Sequence, residues 1–178
     1  MDLITFIPFS IHKNLFDAYE ICIKGLNKSD WVIMFDHDVY RVDPGWYKKT
    51  MSGIEEYKGN LFTGWTNRIG CYWQVDYRSP ESDNIVDHMN YVNTREKQLV
   101  YDQTDLQLCG GFYFVFQKKW WEECKGDIGK WHYGGGSLGM DNDFHRSTRE
   151  RGGKLIQLDI YFYHYYRGGD INKKGHLL

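Results

Sequence analysis

No apolar run in this 178-residue chain is long enough to cross a bilayer. The longest, WVIMF at residues 31–35 and FYFVF at 112–116, fall far short of the roughly twenty residues a spanning helix needs. Met1 is not followed by a basic segment and a long apolar stretch, so no secretory signal is read there. The four cysteines, Cys22, Cys71, Cys109 and Cys124, show no C-x-x-C spacing. Without a zinc pattern or a disulfide framework, a reducing cytoplasmic setting is expected. Charge of neither sign dominates: 22 Lys and Arg against 24 Asp and Glu leave a formal −2. Nucleic-acid binding is therefore not expected, for want of a basic footprint. Repeats, low-complexity segments and a second domain are also lacking. A transmembrane segment is excluded on this reading, while peripheral membrane contact is left open.

Aromatic residues, by contrast, are plentiful. Seven Trp, 14 Tyr and 10 Phe make up 17% of the chain, more than a small core requires. Tyr and Trp also suit flat amphipathic ligands such as sugar rings. Trp65, Trp73 and Trp131 follow or flank predicted strand ends, so at least one is expected to line a sugar or acceptor site; the alternative is that all three are core. Arg146, Arg149, Arg151 and Lys154 read as a solvated helix face, with contact to an anionic acceptor as the alternative.

Hydrophobic patterning predicts an α/β fold. LITFIPF reads as a buried strand ended by Pro8. Helical spacing of Phe16, Tyr19, Ile23 and Leu26 follows, with Asn14 as cap. WVIMF is apolar on both faces, as expected of a central parallel strand covered on each side. A short helix is predicted after DPGWY, a strand at LFTGWT, and a helix around residues 85–99. LCGGFYFVFQ reads as a strand, KKWWEEC as a short helix, and GDIGKWHYGGGSLG as a loop. Asp143 to Arg151 reads as a helix stopped by Gly152 and Gly153, and KLIQLDIYFYHYYR as the last strand. A single domain is expected over 1–167, with a tail at 168–178.

The chemistry concentrates at strand ends, where α/β sheets bind ligands. Asp36-His37-Asp38 follows WVIMF directly. Sixteen Asp in the chain give about 1.4 Asp-x-Asp triplets by chance, and two are present, so context must decide. Residues i and i+2 of a strand share a face, which would present Asp36 and Asp38 together to a hard divalent cation. His164 ends the apolar row of Ile156, Leu158, Ile160 and Phe162. A histidine there is commonly a satisfied core residue, but beside two carboxylates it becomes a candidate ligand for Mn²⁺. In GGGSLGMDNDF, Asp143 fits a helix-capping role and Asp141, nearer the glycine loop, is freer to act as a base. The loop is neither a phosphate-binding P-loop nor a dinucleotide fingerprint.

Taken in order, FDHD after a hydrophobic strand, LFTGWTNRIG, CGGFYFVFQKKWWEE, LGMDNDF and the closing FYHYYR resemble a GT-A-fold, family-2-like glycosyltransferase, over almost the whole chain. That resemblance implies a three-layer sandwich around a mostly parallel central sheet. It also implies a nucleotide-sugar donor whose diphosphate is held by Mn²⁺ or Mg²⁺, and a carbohydrate, glycolipid or glycoprotein acceptor. By the same resemblance Asp36 would face the donor ribose or sugar, Asp38 and His164 would ligate the metal, and Gly110 and Gly111 would lie against the donor sugar. Asp141 would be the general base of an inverting transfer. Met140 stands where the family usually has an acidic residue, and Ser147 where it often has Arg. The second strand that carries a base-reading carboxylate is missing. The alternatives are a metal-dependent nucleotidyltransferase or phosphohydrolase using Asp36, Asp38 and His164, and a non-catalytic carbohydrate-binding protein.

Overall fold

The structure, a computed structural model, describes residues 3–9, 14–129 and 139–165. Trp131 and the expected tail lie outside them. Strand β1 (Leu3–Phe6) leads to helix α1 (Leu15–Ile23), where the Asn14 side chain accepts the Asp17 N–H as predicted. Next comes β2 (Trp31–Phe35), parallel to β1 with Ile4 opposite Val32. Among the described residues only α1 lies between these two strands, and no further strand is seen there. The chain continues through β3 (Val39–Tyr40), α2 (Trp46–Tyr57), β4 (Leu61–Thr66), α3 (Ile85–Thr94) and β5 (Tyr101–Asp102). It closes with β6 (Tyr113–Gln117), α4 (Lys118–Cys124), α5 (Met140–Glu150) and β7 (Leu155–His164).

The strands join in one sheet of order β1-β2-β6-β4-β7-β3, with β5 also paired to β7. Strands β1, β2, β4 and β7 point one way, but β6 runs opposite between β2 and β4. The expectation of a mostly parallel sheet is thus corrected at the level of pairing: of six strand pairs, only β1–β2 and β4–β7 are parallel. Strand β2 is covered on both faces as its sequence implied, yet one neighbour, β6, is antiparallel.

Alternation along β2 and β6 feeds two cores. Val32, Met34, Phe114 and Phe116 pack with Tyr19 of α1, Trp120 and Trp121 of α4 and Phe144 of α5. Ile33, Phe35, Tyr113 and Val115 pack on the other face with Ile54 of α2. Each fully buried large side chain contributes roughly 1.5–3 kcal/mol, so the strand ends are fixed on a rigid base. Ile156, Leu158, Ile160 and Phe162 share one core face, as their spacing predicted.

Two helix boundaries differ from expectation. Helix α3 stops at Thr94 because Arg95 leaves helical geometry, and its guanidinium bonds buried Asp76 at 2.8 Å and Asp159. Helix α5 begins at Met140 rather than Asp143, after Gly139 turns the chain at φ +100°, a conformation that favours glycine.

Candidate active site

Because β6 is antiparallel, its N-terminal entrance lies beside the C-terminal ends of β2 and β4. Asp36 after β2, Ile69 to Cys71 after β4, Gly110 and Gly111 before β6, and His164 at the end of β7 therefore meet at one edge. With Asp141 and Asn142 of α5 they line a cavity of about 400 Å³. A larger cavity, about 530 Å³, lies between α1 and α4. There Glu20 is already paired with Lys125 at 2.9 Å, and no metal-ligating cluster among the described residues faces it.

Asp36 and Asp38 are brought together by a different device from the one expected. The Val39 N–H donates to the Asp36 carbonyl at 3.2 Å, so Asp36-His37-Asp38 forms a tight turn and is not extended strand. The turn carries the chain from β2 to the far side of the sheet, where β3 pairs with β7 and sets Val39 opposite His164. The Tyr165 N–H then donates to the Asp38 carbonyl at 2.8 Å. Asp38 and His164 thus become neighbours although 126 residues separate them.

The ligand atoms of Asp36, Asp38 and His164 all lie within 4.8 Å of one another, the one such group among the described residues. Ligands of an ion with bonds of about 2.1 Å sit roughly 3–4.2 Å apart, so a sub-ångström side-chain shift would close the set. The orientation of His164 directs Nε2 toward Asp38. Its Nδ1 lies 3.0 Å from the Arg68 carbonyl, which can only accept, so Nδ1 carries a proton. In the neutral ring the Nε2 lone pair then faces Asp38 Oδ1 at 3.3 Å. Two lone pairs so placed repel unless a proton or a metal ion lies between them. Two carboxylates and one imidazole form a donor set that suits Mn²⁺.

Asp141 is less free than its sequence suggested. One oxygen accepts the Gly111 N–H at 3.0 Å and the other the Asn142 N–H at 2.9 Å. Burial pushes its pKa up, and those backbone donors pull against that rise. A carboxylate can accept about four hydrogen bonds, so these contacts orient it without barring an acceptor hydroxyl. The capping role expected of Asp143 is not observed. Gly139 occupies the cap position of α5 without a side-chain bond, and buried Asp143 instead accepts the Gly129 N–H at 2.7 Å. Starting three residues early puts Asp143 inside the helix.

Gly110 and Gly111 are explained by close approach. A Cβ on Gly110 would sit 2.1 Å from Ile69 Cδ1, and one on Gly111 would sit 2.8 Å from Asp141 Cβ. Gly111→Ala is accordingly expected to push α5 outward and break the Gly111–Asp141 bond. A cost of about 1–3 kcal/mol should appear in thermal unfolding, together with a lower kcat. Cys71 and Cys109 also line the cavity, but burial pushes the Cys71 thiol up to about 12 and Cys109 well above its usual value. A buried, protonated thiol is a poor nucleophile, so they serve as walls.

Of the three tryptophans expected near the sugar site, Trp65 and Trp73 pack in the core, and Trp131 lies outside the described residues. Trp73 belongs to the α1/α4 core and donates to the Leu108 carbonyl at 2.7 Å, and Trp65 packs on Val42, Tyr161 and Tyr163. Trp73→Phe should lower stability by about 1–3 kcal/mol and leave Michaelis constants unchanged, measurable by melting and steady-state kinetics. The exposed rings of Tyr40 and Tyr165, 44% and 45% accessible, pack on Tyr163, on the face of β7 opposite His164, and Tyr40 lines a separate cavity with Ile85 and Met89 of α3. The cationic residues read as a solvated face are half-buried or exposed, and three of them form surface ion pairs. Arg146 pairs with Glu150, Arg151 with Asp127 and Lys154 with Asp102, and Arg149 donates to the Leu106 carbonyl. Ser147 bonds Asp127 at 2.9 Å, so it serves α5 packing.

Sequence reasoning missed Asn67, Arg68 and Gln74. The Gln74 amide accepts the Gly110 N–H at 2.6 Å and donates to the Gly110 carbonyl at 3.0 Å, clamping the glycine wall. No local pattern betrays such a clamp. No family model matches the chain, and no curated protein matches it in sequence. No helix among the described residues is long and apolar enough to cross a membrane.

Proposed function

We propose that this protein is a metal-dependent, inverting glycosyltransferase that moves a hexose-like sugar from a nucleotide-sugar donor to an acceptor hydroxyl. The observation that carries the reading is the meeting of Asp36, Asp38 and His164 across a cavity from Asp141. Asp38 and His164 would hold Mn²⁺ or Mg²⁺, with Asp36 beside them against the donor. When bound, the ion offsets charge growing on the departing diphosphate.

The chain's own residues do the rest. Gly110 and Gly111, packed against Ile69 and Asp141, would form the backbone wall on which the donor sugar lies. Asp141, fixed by the Gly111 and Asn142 N–H groups, takes the proton of the acceptor hydroxyl as that oxygen attacks the anomeric carbon from the side opposite the diphosphate. A base with a raised pKa is better matched to this task near neutrality.

Incubation with Mn²⁺ and a panel of nucleotide sugars tests the reading. Nucleoside diphosphate should be released. Monophosphate or pyrophosphate would indicate a nucleotidyltransferase or phosphohydrolase, and no turnover a binding protein.

A further inference from the structure

The ladder between β4 and β7 ends at Thr66 and Phe162, two residues short of His164. Beyond that point a side chain takes over. The His164 N–H donates to Asn67 Oδ1 at 2.7 Å, and Asn67 Nδ2 donates to the His164 carbonyl at 3.3 Å. The backbone N–H can only donate, which fixes the end of the amide it meets as oxygen. The next residue completes the grip, since the Arg68 carbonyl accepts the His164 Nδ1–H at 3.0 Å. Residues 67 and 68 therefore hold His164 at three points: both backbone groups and the ring. Asn67 is itself only 3% exposed, so water cannot readily replace it.

We propose that Asn67 is a positioning residue for the candidate metal centre. It prolongs the strand pairing through its amide and holds the His164 ring against the Arg68 carbonyl. The proton is thereby confined to Nδ1, and Nε2 is presented toward Asp38. Outer groups that fix a ligating histidine commonly change metal affinity by about 10- to 100-fold when removed. The inference rests on the metal reading in its affinity arm, but not in its tautomer arm.

The test compares wild type, Asn67→Leu, Asn67→Asp and Thr50→Val. Thr50→Val removes a buried hydroxyl contact to Tyr113 of 2.6 Å, away from the cavity, and serves as a control for lost stability. Mn²⁺ binding is followed by electron paramagnetic resonance, and the His164 tautomer by nitrogen-15 NMR of the metal-free protein at a pH high enough that the ring is neutral. Wild type should show the Nδ1–H form. Asn67→Leu should bind Mn²⁺ about 10- to 100-fold more weakly and lose the single tautomer. Asn67→Asp, which keeps only the acceptor for the His164 N–H, should lie between, and Thr50→Val should match wild type in both readouts. Wild-type affinity and tautomer in Asn67→Leu would overturn the proposal, and so would an Nε2–H ring in wild type. If Asn67→Leu fails to fold, Asn67→Asp decides by the same two readouts. If wild type binds no Mn²⁺, the metal reading fails by itself and the tautomer comparison still decides the role of Asn67.

Discussion

Asp141→Asn should lower kcat by about two to four decades and change donor affinity little. A sugar hydroxyl is a poor nucleophile until its proton leaves, and general-base assistance contributes roughly 10²–10⁴-fold, or about 3–5 kcal/mol of barrier. The substitution keeps the size of the side chain and removes its basicity. It also has a structural consequence visible in the site. Asp141 accepts N–H groups on both oxygens, from Gly111 and from Asn142. An asparagine can face only one of them with oxygen and meets the other with its own NH₂, at a cost of about 1–3 kcal/mol. Turnover must therefore be measured well below the variant's melting temperature. An unchanged kcat there would take the base role away from Asp141, and a product of retained anomeric configuration would reject single displacement.

The same residue sets a pH dependence. Burial raises the Asp141 pKa in the folded protein. The acid limb of the kcat profile should therefore lie above the ordinary carboxylate range, with activity rising as pH climbs through it. The stability effect has the opposite sense, because the folded state binds the proton more tightly than the unfolded chain. The cost of ionising Asp141 is absent below the ordinary carboxylate pKa and fully present above the raised one. Asp141→Asn should remove both features, leaving a flat acid limb at a low residual rate.

Much of this arrangement was legible before any coordinates. Five apolar residues in a row between turn signals predicted a strand covered on both faces, and residues 32–35 are indeed all buried. Period-two alternation over Ile156 to Phe162 placed His164 at the end of a core row. What could not be read depends on pairings distant in sequence. The direction of β6 follows from its neighbours β2 and β4, and its own composition is the same either way. Asp36 and Asp38 meet through a turn and through β3 crossing to β7, where strand alternation had seemed sufficient. The clamps of Asn67 on His164 and Gln74 on Gly110 span 97 and 36 residues. An amide in a polar loop looks the same in sequence whether it faces water or replaces a strand.

Removal of the divalent cation should cost at least about three decades of turnover, because Lewis-acid stabilisation of a leaving diphosphate is worth several kcal/mol. Excess chelator should bring activity to background, and Mn²⁺ should restore it at least as well as Mg²⁺, since one ligand is nitrogen. Asp38→Ala should reproduce the loss without chelator and resist rescue by added metal. His164→Ala should weaken Mn²⁺ more than Mg²⁺, because it removes the nitrogen donor and leaves the carboxylates. Near-normal turnover in chelator would remove the cation from the mechanism, leaving the carboxylate cluster a structural turn.

The most direct test is anomalous diffraction from crystals soaked with Mn²⁺ and a nucleoside diphosphate. A single manganese peak should lie within bonding distance of an Asp38 carboxylate oxygen, of His164 Nε2 and of a diphosphate oxygen, with Asp141 across the cavity from the phosphates. A peak away from Asp38 and His164, or a diphosphate seated elsewhere on the molecule, would contradict the account.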